Sequence, residues 1–279
     1  MLMIKKLILL ILLILCLSIQ ASALGPMMLL SGGGVGEEAG SFICSACTPG
    51  DPTDIFCEDF EGSVDPPDSS AWCTWVESVD GTNTVTVVSH SGTWSSCTSA
   101  EKGSDAVKMT VVGAQGETAS IRTSRSQDLL YQSFYWTWDE DATNILDDGD
   151  WVSIYTVERA GPGLLYKVSV LNSGGVNYIY CNYTHSGGTK GFSTGITPVD
   201  NQIYHIQVEW HRNTEDGFQI WIDSVNKGDT SGLTTLDYET AYIHLGSTTS
   251  HSNIGTGDDF TMTFDMLEVD NDTMPTGCE

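Results

Sequence analysis

Six side chains suited to holding a sugar fall in two stretches of the chain. Trp221, His205, Gln207 and Glu209 lie within residues 204–223, and Tyr178 and Tyr180 within 177–183. Flat aromatic faces stack on sugar rings, while neighbouring amide, imidazole and carboxylate groups fix the hydroxyls. The reading with no function attached is that these are ordinary cross-strand pairs, or that another strand or subunit covers Trp221.

Bond-breaking chemistry has a weaker signature. Retaining glycosidases need two carboxylates about 5–5.5 Å apart. Asp265 and Glu268 are the carboxylates in the run Phe264–Val269, and three residues of separation puts them on opposite faces of a regular strand. A solvated or turn-capping role is the expectation for both. His205 and Gln207 with Tyr178 or Tyr180 could imitate an eliminase set, but basic groups near them in sequence are few, Lys167, Arg159 and Arg212 among them. No Ser-His-Asp order and no nucleophile elbow is present. His90, His185, His205, His211, His244 and His251 are scattered without metal-ligand spacing and read as surface or sheet histidines.

Calcium is the one cofactor the composition raises. Residues 139–150 and 255–259 are acidic loops whose oxygens suit that ion, with Asp147, Asp148, Asp150, Asp258 and Asp259 as candidate ligands. The EF-hand order of glycine and a final glutamate is missing, so a solvated acidic loop is the simpler expectation.

The central element that must position the sugar-binding set is a hairpin over residues 204–223. Tyr204, Ile206, Val208 and Trp210 alternate with His205, Gln207, Glu209 and His211, then Phe218, Ile220 and Ile222 alternate with Gln219, Trp221 and Asp223. A period of two sends one set to the core and the other outward. Trp210 is thus assigned to the core and Trp221 to the outer face. Further short β-prone runs, bounded by Gly, Ser, Asp and Asn, bring the expected count to about a dozen strands; no amphipathic helix and no long repeat is evident. The expected class is all-β, an antiparallel two-sheet sandwich of jelly-roll type.

Residues 1–23 read as a signal peptide: Lys5 and Lys6, an apolar run over 7–17, then Ala21-Ser22-Ala23. The run is short for a membrane span. Cleavage there leaves 256 residues and takes the formal charge from −26 to −28. Nucleic acid is excluded as a partner by that charge, and anionic lipid or polyuronate is disfavoured. Residues 24–53 form a Gly-rich linker carrying Cys44 and Cys47, the sandwich spans 54–272, and 273–279 is a tail. Seven of the eight cysteines survive cleavage, in an exported setting that favours disulfides. Cys73 and Cys97 bracket an apparent hairpin and are expected to pair. Cys44, Cys47, Cys57 and Cys278 are further disulfide candidates, and Cys181, inside a strand, is the expected buried free thiol.

Several runs together resemble the concanavalin A-like lectin/glucanase superfamily, including its laminin-G-like members. They are Phe60-Glu61-Gly62, residues 203–210 followed by 218–223, Ile243-His244-Leu245-Gly246, and Phe264-Asp265-Met266-Leu267-Glu268-Val269. Ser224 stands where that superfamily usually has a glycine. The resemblance implies two antiparallel sheets with first and last strands adjacent, a Cys57–Cys278 disulfide where those strands meet, and glycan binding or cleavage as the common role. It also raises calcium, which lectins of this kind hold in rim loops. The glucanase carboxylate motif is absent, so binding is expected ahead of catalysis, with a polysaccharide lyase or glycosidase as the lesser alternative. Two function classes follow: a secreted or cell-surface carbohydrate-binding or adhesive module for a neutral glycan, and a self-assembling surface or filament subunit.

Overall fold

A computed structural model describes residues 56–58, 60, 76–89, 105–112, 118–124, 129–140, 146–161, 163–228, 232–248, 251–255 and 259–270. The described residues form fifteen strands and no helix: β1 Phe56–Glu58, β2 Val76–Val79, β3 Thr84–Ser89, β4 Asp105–Val111, β5 Ala119–Ser124, β6 Leu129–Glu140, β7 Trp151–Arg159, β8 Gly163–Ser173, β9 Val176–His185, β10 Gly188–Ser193, β11 Ile203–His211, β12 Phe218–Ile222, β13 Val225–Asn226, β14 Thr240–Ser247 and β15 Phe260–Asp270. No described helix is long and apolar enough to cross a membrane.

The strands make two antiparallel sheets. The first runs β13-β12-β11-β6-β15-β4-β3, with β1 added against β15, and the second runs β10-β9-β8-β7-β14-β5-β2. First and last strands are therefore neighbours, as the resemblance implied. The signal peptide, the linker with Cys44 and Cys47, the Cys73–Cys97 pair, Cys278 and the tail lie outside the described residues, as does the Cys57 side chain.

The alternation that predicts the central hairpin holds along its whole length. Tyr204, Ile206, Val208 and Trp210 are buried and the residues between them half-buried, and β12 repeats the pattern. Trp210 opposes Phe218 and Gln207 opposes Trp221. Burying every second side chain makes register costly to change, because a one-residue slip exposes Trp210 and buries Glu209. Three ring stacks join the sheets across the core, Phe134 on Tyr155 at 5.0 Å, Tyr166 on Trp210 at 5.3 Å and Tyr183 on Phe218 at 5.3 Å. Cys181 is a buried free thiol, as expected. Burial pushes its pKa far up, so it is held as an inert apolar group.

Turn chemistry fixes the other hairpins. Gly174 and Gly175 both have positive φ between β8 and β9, the backbone that a two-residue hairpin turn of type I′ demands. The β12–β13 turn has the same form, but Asp223 and Ser224 carry it at φ 50° and 63°. Ser224 thus occupies a left-handed conformation that glycine adopts without strain.

One sequence expectation fails here. Asp265 and Glu268 share a face of β15. The register shifts between them, so Asp265 opposes Tyr135 and Glu268 opposes Ser133, two residues on the same face of β6. A β-bulge inserts one extra residue on β15, which cancels the odd spacing; spacing alone cannot reveal a bulge.

Candidate functional site

The outer face of the first sheet collects polar side chains in three rows set by register. One row runs His205, Tyr135, Asp265; the next runs Trp221, Gln207, Ser133, Glu268; the third runs Gln219, Glu209, Tyr131, Asp270. The accessible part lies toward the β12 side, where Trp221, Gln219, His205, Gln207 and Glu209 are all half-buried. Four of the β6 and β15 members are covered, Ser133 at 0% exposed, Asp265 at 3%, Glu268 at 4% and Tyr135 at 6%, while Tyr131 and Asp270 are half-buried.

Covered groups hold the accessible ones in place. Ser133 Oγ lies 2.6 Å from His205 Nε2, and the Tyr135 ring stacks on the imidazole at 4.6 Å with an 11° tilt. Asp223 Oδ1 accepts the His205 backbone N–H at 2.9 Å. Glu209 is hydrogen-bonded to His211, whose ring meets Tyr131 edge-on. Side chains anchored by packing and hydrogen bonds lose little freedom when they engage a ligand. Ser133 and His205 resemble a nucleophile–base pair in distance alone. A hydroxyl with no exposure cannot reach a polymer's bond, so the contact orients the ring instead. Asp265 and Glu268, equally covered, are not presented to substrate as an acid–base pair.

Tyr178 and Tyr180 do not join this site. They alternate on β9 with Ile179, Cys181 and Tyr183, which are buried in the core, so the two tyrosines lie on the outer face of the second sheet. Lys167 and Arg159 belong to that sheet too. Arg212 follows β11 but is engaged by Asp237 at 3.1 Å and Glu239 at 3.4 Å. The six-residue platform and the eliminase set are thus divided between opposite sides of the sandwich. The reason is topological: β9 and β11 read as neighbours in sequence but belong to different sheets.

Among the described residues no three His, Cys, Asp or Glu side chains are grouped to hold a metal ion. Two of the acidic candidates tie loops together. Asp148 Oδ1 accepts the Gly174 N–H at 2.7 Å, and Asp150 Oδ1 accepts the Asn253 amide at 2.8 Å. Burial and the neighbouring Asp147 charge raise the Asp150 pKa. Asp259 precedes β15, and Asp258 lies outside the described residues.

A second polar cluster, invisible in the sequence, sits on the outer face of the second sheet. Glu158 on β7 is hydrogen-bonded to His251 Nε2 at 2.6 Å and His244 Nε2 at 3.2 Å. Those two hydrogen bonds hold its carboxyl well below the usual range. Lys167 Nζ donates to the His251 carbonyl at 3.2 Å and lies 5.0 Å over the Trp151 ring; burial lowers its pKa to about 8. The partners are 86 and 93 residues from Glu158, so only topology unites them.

No family model and no curated protein sequence matches the chain. Solved structures do resemble it in fold. An endo-β-1,4-glucuronan lyase from the fungus Trichoderma reesei aligns with a TM-score of 0.53 at 16% identity, covering 79% of this chain and 96% of that one. The T. cruzi calreticulin globular domain gives a TM-score of 0.47 at 12% identity, covering 79% and 89%. Domain 4 of a GH43 extracellular arabinanase from Geobacillus stearothermophilus, solved with arabinotriose, gives 0.47 at 13% identity, covering 80% and 93%. At such identities the likeness is one of fold.

Proposed function

We propose that the protein is an exported carbohydrate-binding sandwich whose ligand face is the β11–β12 side of the first sheet. Trp221 supplies the stacking surface, and His205, Gln207 and Glu209 supply hydrogen bonds to sugar hydroxyls. The observation that carries this reading is the Trp221–Gln207 pair: a half-buried indole directly opposite an amide, beside an imidazole already oriented by Ser133 and Tyr135. The glucuronan lyase that shares the fold acts on a polysaccharide, which agrees with it.

The ligand is a neutral glycan. The cross-strand rows of this face contain Glu209, Asp265, Glu268 and Asp270, and the whole chain carries a formal charge of −26. Both repel polyuronates, the class named for the glucuronan lyase. Covering of Asp265 and Glu268 favours binding over cleavage.

Affinity electrophoresis of the full chain through gels carrying neutral or uronate polysaccharides tests the proposal. Retardation by a neutral polysaccharide, with none by the uronate, supports it. Equal mobility in every gel, from a protein that forms large particles, would favour the assembly-subunit reading instead.

A further inference from the structure

Directly behind Ser133, the preceding residue on β6 faces the opposite way. Gln132 is 0% exposed and lies inside the sandwich, where its Oε1 accepts a hydrogen bond from the Tyr166 hydroxyl of β8. Its amide nitrogen has no partner. Rotating the amide by half a turn would only exchange which end is satisfied. Two more polar atoms without partners belong to rings packed on the same tyrosine. Tyr155 Oη is one; its ring centroid is 6.4 Å from that of Tyr166. Trp210 Nε1 is the other, on a ring stacked against Tyr166 at 5.3 Å. Tyr155, Tyr166 and Trp210 are all fully buried.

Buried polar groups are almost always hydrogen-bonded, to protein or to ordered water. Three orphans on side chains that each meet Tyr166 cannot satisfy one another through donors alone: the Gln132 and Trp210 nitrogens only donate, and the Tyr155 hydroxyl is the sole acceptor among them. A water molecule completes such a set. It can accept from Gln132 Nε2 and Trp210 Nε1 and donate to Tyr155 Oη.

We infer that an ordered internal water site lies between the two sheets, bounded by Gln132, Tyr155 and Trp210 and capped by Tyr166. Gln132 and Trp210 belong to the first sheet, and Tyr155 and Tyr166 to the second. The site is a polar bridge across an otherwise apolar core. It pins β6 from behind at the residue adjoining Ser133, which orients His205. The inference does not depend on the glycan reading.

A crystal structure at high resolution gives the first test. Density for a single water within hydrogen-bond distance of Gln132 Nε2 and Tyr155 Oη is expected; a dry, close-packed contact there, or density for a larger molecule, overturns it. Thermal melting of Tyr155→Phe tests it by sign. With the water present, loss of a partner lowers the melting temperature, by about 2–4 °C for a domain of this size. With no water, the substitution removes an unsatisfied hydroxyl and the melting temperature rises. In a cycle with Gln132→Leu, the two effects are non-additive if one water joins the residues and additive if none does.

Discussion

Ser133 and His205 are 72 residues apart and meet at 2.6 Å on the outer face of the first sheet. One is covered and the other half-exposed, so the contact carries rigidity from the body of the sandwich to its accessible surface. Functional faces on β-sheets need such backing, because a side chain on a flat surface is otherwise free to rotate.

Trp210 tests the assignment of faces. It is fully buried against Tyr166, and Trp210→Ala is expected to cost about 3–5 kcal/mol in urea unfolding. A loss under about 1 kcal/mol would contradict the face assignment.

Ser224 is the second turn residue between β12 and β13, at φ 63°. Ser224→Gly relieves a left-handed conformation at the cost of some unfolded-chain entropy, for a net gain of about 0.5–1 kcal/mol. Denaturant midpoints of the two proteins decide it, and a lower midpoint for the glycine variant would show that Ser224 is not strained.

Glu158 makes stability depend on acid. Its folded carboxyl titrates well below the ordinary value of 4.5, first because His244 and then because His251 hydrogen-bonds to it. The unfolded chain therefore binds more protons than the folded one in acid. The contribution is fully present above that ordinary value and is lost as the pH falls toward the folded value. Urea midpoints measured from about pH 6 to pH 3 should fall less steeply for Glu158→Gln than for the parent; parallel curves would mean the two imidazoles do not hold the carboxylate.

The sandwich and the central hairpin were legible because period-two alternation in 204–223 is strong and leaves one register that buries Trp210. The outward placement of Trp221, His205, Gln207 and Glu209 follows from the same alternation. What escaped the sequence is long-range. The bulge that brings Asp265 and Glu268 to one face adds a residue without any distinguishing side chain. The separation of Tyr178 and Tyr180 from Trp221 depends on which sheet each strand joins, and local pattern does not encode that. The Glu158 cluster depends on β7 lying beside β14, a pairing between strands distant in sequence.

Calorimetric titration of the parent protein and Trp221→Ala with a neutral oligosaccharide tests the central claim most directly. The variant should fold with unchanged stability and bind more weakly by about 1–3 kcal/mol, roughly 5- to 150-fold in Kd. Equal affinity in the two proteins would contradict the placement of the ligand on the β11–β12 face.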